Sequence, residues 1–348
     1  MAVNCWGCDF CFLTQATEFD KDGYLTTKVY GNSYLNISEN INESIISARE
    51  LYELTAIQSN NFNTINRYEQ INSPITFIAS YINYLLTNHL EADYTIASTT
   101  QFFDKTNDEY NDDVLKKVGI KKAYLPPLCV AGKTIKPIIH NNLSDVNVIF
   151  GAGHDTAYAL NHGDNNTLIL NIGSWIILGT NLDSVDNFNP NYSYERGIKS
   201  KYKVVDTQVG MNIFNQILKF YSPLVNFEQM YEELKQVDKL FEVDIEVLKV
   251  NESVTTFCKS DDWKVNIASY LDSLAKYTCE NMKVFIEDIN PKISKLLIVG
   301  GGSQNKYFIE RMKYYNCEDI KIEFGPKEAT VVGNIKFQEE VSCGSLKK

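Results

Sequence analysis

The sequence is short of positive charge. Over 348 residues, 33 lysines and arginines face 44 aspartates and glutamates, a formal net charge of -11. That balance argues against a protein that grips a nucleic-acid backbone, which needs a basic face. It leaves nucleotides open, because backbone amides and one or two cations hold their phosphates. Long hydrophobic runs are also lacking. Ile75–Leu86 is among the longest, and Ser80, Tyr81 and Asn83 interrupt it, so it is too short and too polar to span a bilayer. No early segment has the length and flanks of a signal peptide. The reading is a soluble, cytoplasmic protein with neither a membrane nor a nucleic acid as partner.

Cysteine is present but makes no complete ligand set. Cys5, Cys8 and Cys11 have the C-x-x-C-x-x-C spacing of an iron–sulfur ligand run, yet the fourth cysteine is Cys129. Trp6, Phe10 and Phe12 interleave with them, so Val3–Leu13 reads as a strand carrying free thiols. No metal ligand is assigned. The remaining cysteines are scattered, which fits a reducing compartment.

What is there is an ordinary globular mix, 44% hydrophobic and 22% charged. The length exceeds one ordinary core and suggests two domains. Tyr24–Tyr30 reads as a strand, Ser38–Leu54 as an amphipathic helix and Ile75–Asn88 as a buried helix. Ser98-Thr99-Thr100-Gln101 is a polar stretch, read either as a contact for a hydroxylated ligand or as a solvated loop. Trp263–Asn290 is a long amphipathic helix with Ile267, Leu271, Leu274, Tyr277 and Met282 on its buried face.

Three glycine-bearing turns stand out. In Val148–Leu160 a strand runs into Gly151-Ala152-Gly153, then His154 and Asp155, then a helix. A carboxylate at the carboxyl end of a strand is where an α/β protein puts chemistry, although Asp155 could equally cap the helix through the amide of Ala157 or Tyr158. Thr167–Leu178 is strand, Gly173-Ser174, strand: a phosphate-wrapping turn or a plain bulge. Lys295–Arg311 is strand, Gly300-Gly301-Gly302, then a helix start near Lys306. That order makes a nucleotide cradle or a structural tight turn. It matches neither G-x-G-x-x-G nor G-x-x-x-x-G-K-[ST].

Taken together, GAGHDTAYAL, NIGSW, IVGGGSQN and GPKEATVVGN, in this order and spacing, resemble the FGGY carbohydrate kinases. CWGCDF at Cys5–Phe10, FNT at Phe62–Thr64 and STTQ at Ser98–Gln101 resemble the rhamnulokinase branch. The resemblance implies an α/β, actin-like and ribonuclease-H-like fold of two domains, a sugar-binding one over 1–160 and a nucleotide-binding one over 161–348, with a cleft between them. It implies ATP and Mg²⁺ as cofactors and transfer of phosphate to a sugar hydroxyl, in this branch a ketose such as L-rhamnulose. By the same resemblance Asp155 is the general base, flanked on the sugar side by His154 and Thr156, with Trp6, Gly7 and Thr207 also at the sugar. Gly173, Ser174, Asn215, Gly301, Gly302 and Asn305 fall on the nucleotide side. Thr207 and Asn215 depart from an asparagine and a glutamine usual in the family, and Ser174 replaces a threonine. Relatives open with a glycine-containing hairpin that has no counterpart before Cys5, so the first domain is expected to be truncated. The partners this leaves are sugar and ATP, with a second copy of the chain or a separately encoded N-terminal fragment. The alternative reading is a catalytically impaired remnant or pseudokinase that binds sugar or nucleotide.

Overall fold

The computed structural model describes residues 16–19, 25–30 and, with short interruptions, 75–344. Trp6, Gly7, the Cys5–Cys11 run, the Ser38–Leu54 helix and the Phe62–Thr64 stretch lie outside the described residues. The chain divides into two units. The first holds Met1–Asn161, Asn181–Val204 and Thr330–Lys348; the second holds His162–Thr180 and Val205–Ala329. The chain thus crosses beside the expected boundary after residue 160, and three times more.

The first unit contains small sheets. Strands β1 (Ala16–Phe19), β2 (Leu25–Tyr30) and β3 (Ile75–Phe77) form an antiparallel sheet ordered β2-β1-β3. The segment read as one helix over Ile75–Asn88 therefore begins as a strand. Its β-branched Ile75 and Thr76 pair with β1, which overrides the helical periodicity. Helix α1 occupies Ile78–Thr87 and stops at Asn88, whose φ of 54° takes the left-handed turn that ends helices. Strand β4 (Ala92–Asp93) leads into the four-residue helix α2 (Tyr94–Ala97) and pairs in parallel with β7 (Leu128–Cys129), beyond the β5 (Phe103–Asp104)–β6 (Glu109–Tyr110) hairpin and helix α3 (Asp112–Val118). Strand β8 (Ile135–Pro137) pairs antiparallel with β9 (Asn147–Ile149), and β9 runs by way of Gly151–His154 into helix α4 (Asp155–Leu160).

Two clusters hold that last turn. Ile138, Val148 and Phe150 pack on one side. Ala131, Ile149, Ala152, Ala157, Tyr158 and Phe337 pack on the other, Phe337 arriving from helix α10 (Ala329–Ser342). Gly333, on the same helix, meets the backbone of Tyr158 so closely that a Cβ would stand 2.4 Å from its carbonyl oxygen.

The main sheet has the order β12-β13-β11-β10-β14-β15. Its strands are β10 (Thr167–Ile172), β11 (Trp175–Leu182), β12 (Ser193–Glu195), β13 (Tyr202–Val209), β14 (Lys295–Val299) and β15 (Lys321–Phe324). β10 and β11 form the hairpin read from the sequence; β10 pairs in parallel with β14, and β14 with β15. Leu168, Ile169, Leu170 and Ile172 of β10 are all fully buried, as expected of a strand covered on both faces. Helices α5 (Met211–Tyr221), α8 (Trp263–Ile289) and α9 (Lys306–Tyr315) belong to the second unit, with the shorter α6 (Met230–Leu234) and α7 (Asn251–Phe257). On α8, Ile267, Leu271, Leu274 and Met282 are buried as expected, Tyr277 partly. Asn266 Nδ2 donates to Tyr221 Oη at 2.6 Å, tying α8 to α5.

Candidate active site

In the first unit the turn before α4 is held from both sides. Asp93, at the end of β4, is 5% exposed. Its Oδ2 accepts from the Gly153 amide at 2.7 Å, and its Oδ1 accepts from the Thr95 amide and from the Thr95 hydroxyl. The His154 amide donates to Thr95 Oγ1 at 3.3 Å. Burial pushes the Asp93 carboxyl up from its usual range, against those hydrogen bonds. Gly153 is required because a Cβ would stand 2.8 Å from Asp93 Oδ2.

Asp155 is the first residue of α4 and His154 the residue before it. The cap reading of Asp155 is overturned, since no side chain caps this helix and the Ala157 amide donates to the His154 carbonyl at 3.1 Å. The reason is position: a residue already inside the first turn points its side chain away from the following amides. The Asp155 side chain is 15% exposed and receives one contact from Thr156 Oγ1 at 3.2 Å. His154, 8% exposed, turns its other ring edge inward. His154 Nδ1 lies 2.8 Å from Lys203 Nζ and 3.0 Å from Glu195 Oε2, and those two atoms are 2.6 Å apart. Burial works against the Glu195 charge, but the adjacent Lys203 ammonium outweighs it and holds the carboxyl well below the usual carboxylate range. Nearby Lys105 is also buried. Burial draws its ammonium down to about 8, against the pull of Glu195 and Asp104.

The polar stretch Ser98–Thr100 is neither a solvated loop nor a free row of hydroxyls. Ser98, Thr99 and Thr100 are buried, and their hydroxyls donate to the carbonyls of Thr95, Ile96 and Ala97 at 3.0, 2.8 and 2.7 Å. Ser98 Oγ also accepts from the Arg196 amide at 2.8 Å. These groups complete the carboxyl end of a helix too short to satisfy its own carbonyls. Gln101 lies outside the described residues.

In the second unit the carboxyl ends of β10 and β14 are neighbours, with Asn171 paired to Val299. Three loops meet there. Gly173 closes the β10–β11 turn through its amide to the Trp175 carbonyl at 2.9 Å. The Gly173 and Ser174 carbonyls accept from the Met211 and Asn212 amides at 3.1 and 3.0 Å, which seats the amino end of α5 on the turn. Gly300, with φ of 89°, takes a conformation that favours glycine, and its amide reaches the Pro326 carbonyl at 3.3 Å. A Cβ on Gly302 would meet Ile172 Cγ2 at 2.2 Å, whereas one on Gly301 would meet nothing within 4 Å. Gly301 therefore opens a 3-10 turn, Gly301–Gln304, on a face the protein leaves empty. The first amides of such a turn have no acceptor inside it. Asn305 Oδ1 accepts from the Phe308 amide at 3.1 Å, capping α9, while its Nδ2 is buried with no hydrogen-bond partner among the described residues. An orphaned donor beside an open glycine turn fits a nucleotide. Asn215 lies on α5, exposed, and Thr207 on β13, half-buried. No group of three or more histidine, cysteine or acidic side chains suited to a metal occurs among the described residues.

The structure thus brings His154, Asp155 and Thr156 together in one unit, and Gly173, Ser174, Gly301, Gly302 and Asn305 at one sheet end in the other. Asp93, Thr95, Glu195 and Lys203 are additions that sequence reasoning missed. One signal was available: Lys203 sits in an apolar strand, Tyr-Lys-Val-Val, where a buried ammonium demands a counter-ion.

Residues 34–161 match the FGGY family of carbohydrate kinases, N-terminal domain. The chain is a relative of the FGGY carbohydrate kinases. It is 26% identical over 321 residues to the rhamnulokinase of Lactiplantibacillus plantarum, covering 83% of this chain and 65% of that protein. It is 25% identical over 392 residues to the Enterococcus faecalis rhamnulokinase, covering 100% of this chain and 76% of that one. Among solved structures, the ligand-bound xylulose kinase from Lactobacillus acidophilus superposes with a TM-score of 0.74 at 14% identity, over 94% of this chain and 74% of that chain. The xylulose kinase from Rhodospirillum rubrum gives 0.70 at 14%, over 92% and 72%. The fold is the α/β, actin-like two-domain fold of these FGGY sugar kinases. Among the described residues, no helix is long and apolar enough to cross a membrane.

Proposed function

We propose that this chain transfers the γ-phosphate of ATP to a sugar hydroxyl, the sugar being a ketose such as L-rhamnulose, with Asp155 as general base. The observation that carries this reading is the Gly153–Asp155 turn: a partly buried carboxylate whose backbone is locked by Asp93 and Thr95 and whose oxygens are left almost free to accept. Phosphoryl transfer asks little of the protein beyond positioning, charge stabilisation and somewhere for the hydroxyl proton to go. The sugar oxygen forms the new bond to phosphorus, the bond to the β-phosphate oxygen breaks, ADP leaves, and the proton passes to Asp155. His154 and Thr156 flank that carboxylate and would contact the sugar, together with Trp6, Gly7 and Thr207. The Gly173, Ser174, Gly301 and Gly302 backbone would face the phosphates and adenosine, with Asn305 Nδ2 and Asn215 completing the nucleotide contacts. Mg²⁺ would offset charge on the phosphates during transfer.

The test is coupled ADP release with ATP, Mg²⁺ and a panel of ketoses. Asp155→Asn should lower sugar-dependent turnover by about 10²- to 10⁴-fold while leaving nucleotide binding intact. Turnover that survives the substitution overturns Asp155 as the base. Saturable nucleotide binding with no turnover on any sugar would move the reading to a binding role.

A further inference from the structure

We propose that Lys203, neutralised by Glu195, fixes His154 in the tautomer that carries its proton on Nε2, so that the imidazole presents a donor beside Asp155 and cannot act as a second base. The three polar atoms form a closed triangle: Nδ1 to Nζ 2.8 Å, Nδ1 to Oε2 3.0 Å, Nζ to Oε2 2.6 Å. Lys203 is 0% exposed and the Glu195 side chain 8%, so solvent screens none of these contacts well. An ammonium only donates, and a ring nitrogen offers either a proton or a lone pair. A proton on Nδ1 would set two N–H donors against each other at 2.8 Å. A doubly protonated ring would add a second cation in contact with the ammonium, with one carboxylate to serve both. A lone pair on Nδ1 removes both conflicts. Lys203 then donates to Nδ1, and the Glu195 carboxylate, with Oε2 2.6 Å from Nζ, balances its charge as an ion pair.

The other charged neighbours favour the same arrangement. Lys105 also feels the Glu195 carboxylate, so that carboxylate has no need of a further cation. Asp93 is occupied with the Gly153 and Thr95 amides. On the outer edge of the ring, Nε2 lies 3.9 Å from Asp155 Oδ1, a spacing that one hydroxyl oxygen could bridge from between the two groups. The backbone that carries the ring is fixed by Thr95 and Asp93, so the imidazole is held at its amide and at its inner nitrogen. The consequence is a division of labour. Nε2–H donates to the oxygen that Asp155 deprotonates, and the two neighbours do not compete for its proton. Lys203 and Glu195 are positioning residues that act through His154. Their effect on turnover rests on the kinase reading above; the tautomer does not.

The test uses the full chain labelled with ¹⁵N-histidine, with long-range proton–nitrogen correlation near pH 7.5. The sequence has 4 histidines, and His154→Gln assigns the signal. The expected pattern is a bare Nδ1 and a protonated Nε2. A proton on Nδ1, alone or together with Nε2, overturns the proposal without any variant being made. The paired substitution Glu195→Gln with Lys203→Met removes both charges together and strands neither. It should mix the tautomers and lower kcat about tenfold or more, with KM for ATP unchanged. Lys203→Arg, which keeps a cationic donor, should restore the Nε2–H signal and most of kcat. A paired variant that keeps both the Nε2–H tautomer and the parent kcat overturns the proposal. Absence of sugar-dependent turnover in the parent protein would instead defeat the kinase reading, with the tautomer still decided by the spectrum.

Discussion

His154 and Asp155 are neighbours in sequence with opposite surroundings. The imidazole is anchored inward by Lys203 and Glu195, while the carboxylate keeps one weak local contact. The pattern strand, glycines, His154, Asp155 was legible because its parts are adjacent in the chain. The groups behind His154 were not, because Glu195 and Lys203 lie more than forty positions away, and alternation in a strand says nothing about which partner a buried charge finds. Lys105 shows the same limit. It reads as an ordinary surface lysine between Asp104 and Thr106, yet it is 2% exposed. Burial lowers its pKa from 10.5 to about 8. Between those values the unfolded chain binds the proton and the folded chain does not, so this residue's contribution to stability rises with pH. Urea titrations at pH 8, 9 and 10 should show the parent gaining stability relative to Lys105→Met across that window. A constant difference between the two proteins would contradict a lowered pKa.

At the scale of elements, the glycine turns were the most readable feature and the hydroxyl stretch the least. Strand, Gly300-Gly301-Gly302, helix is a local arrangement, and it folds as read. What the sequence could not rank is the three glycines. Gly300 needs its positive φ, Gly302 lies against Ile172, and Gly301 faces open space. Alanine at 300 or 302 should therefore cost about 1–3 kcal/mol of stability. Alanine at 301 should change stability by less than about 0.5 kcal/mol yet weaken ADP binding, because the added methyl projects where the nucleotide is proposed to lie. Urea midpoints and calorimetric ADP titrations separate the two effects, and an unchanged ADP affinity in Gly301→Ala would argue against the cradle. Ser98–Thr100 misled because a run of hydroxyls carries no sign of whether backbone carbonyls nearby lack donors. Helix α2 is only four residues long, and its carbonyls take them.

At the scale of the whole molecule, the chain divides into two units that are each discontinuous in sequence. The crossings at 180/181 and 204/205 fall inside β11 and β13, where nothing in composition marks a boundary. The residues proposed for the nucleotide, Gly173, Ser174, Asn215, Gly301, Gly302 and Asn305, all belong to the second unit, and Asp155 belongs to the first. ADP should therefore raise the melting temperature of the parent and of Asp155→Asn equally. Linkage sets the scale, about 2.7 kcal/mol at a hundredfold excess over Kd. A shift abolished by Asp155→Asn would place the nucleotide against the carboxylate instead.

The packing of Phe337 has a consequence for biosynthesis. Its ring is fully buried in the cluster that contains Tyr158, Ala152 and Ile149, the cluster directly beneath the Gly153–Asp155 turn. A ribosome that has already produced His154 and Asp155 must add almost two hundred residues more before the side chain that underpins them exists. The acid–imidazole pair is therefore among the first chemistry to be synthesised and among the last to be consolidated. An interrupted message yields a nascent chain whose Gly153–Asp155 turn has no floor, a state that quality-control proteases can recognise.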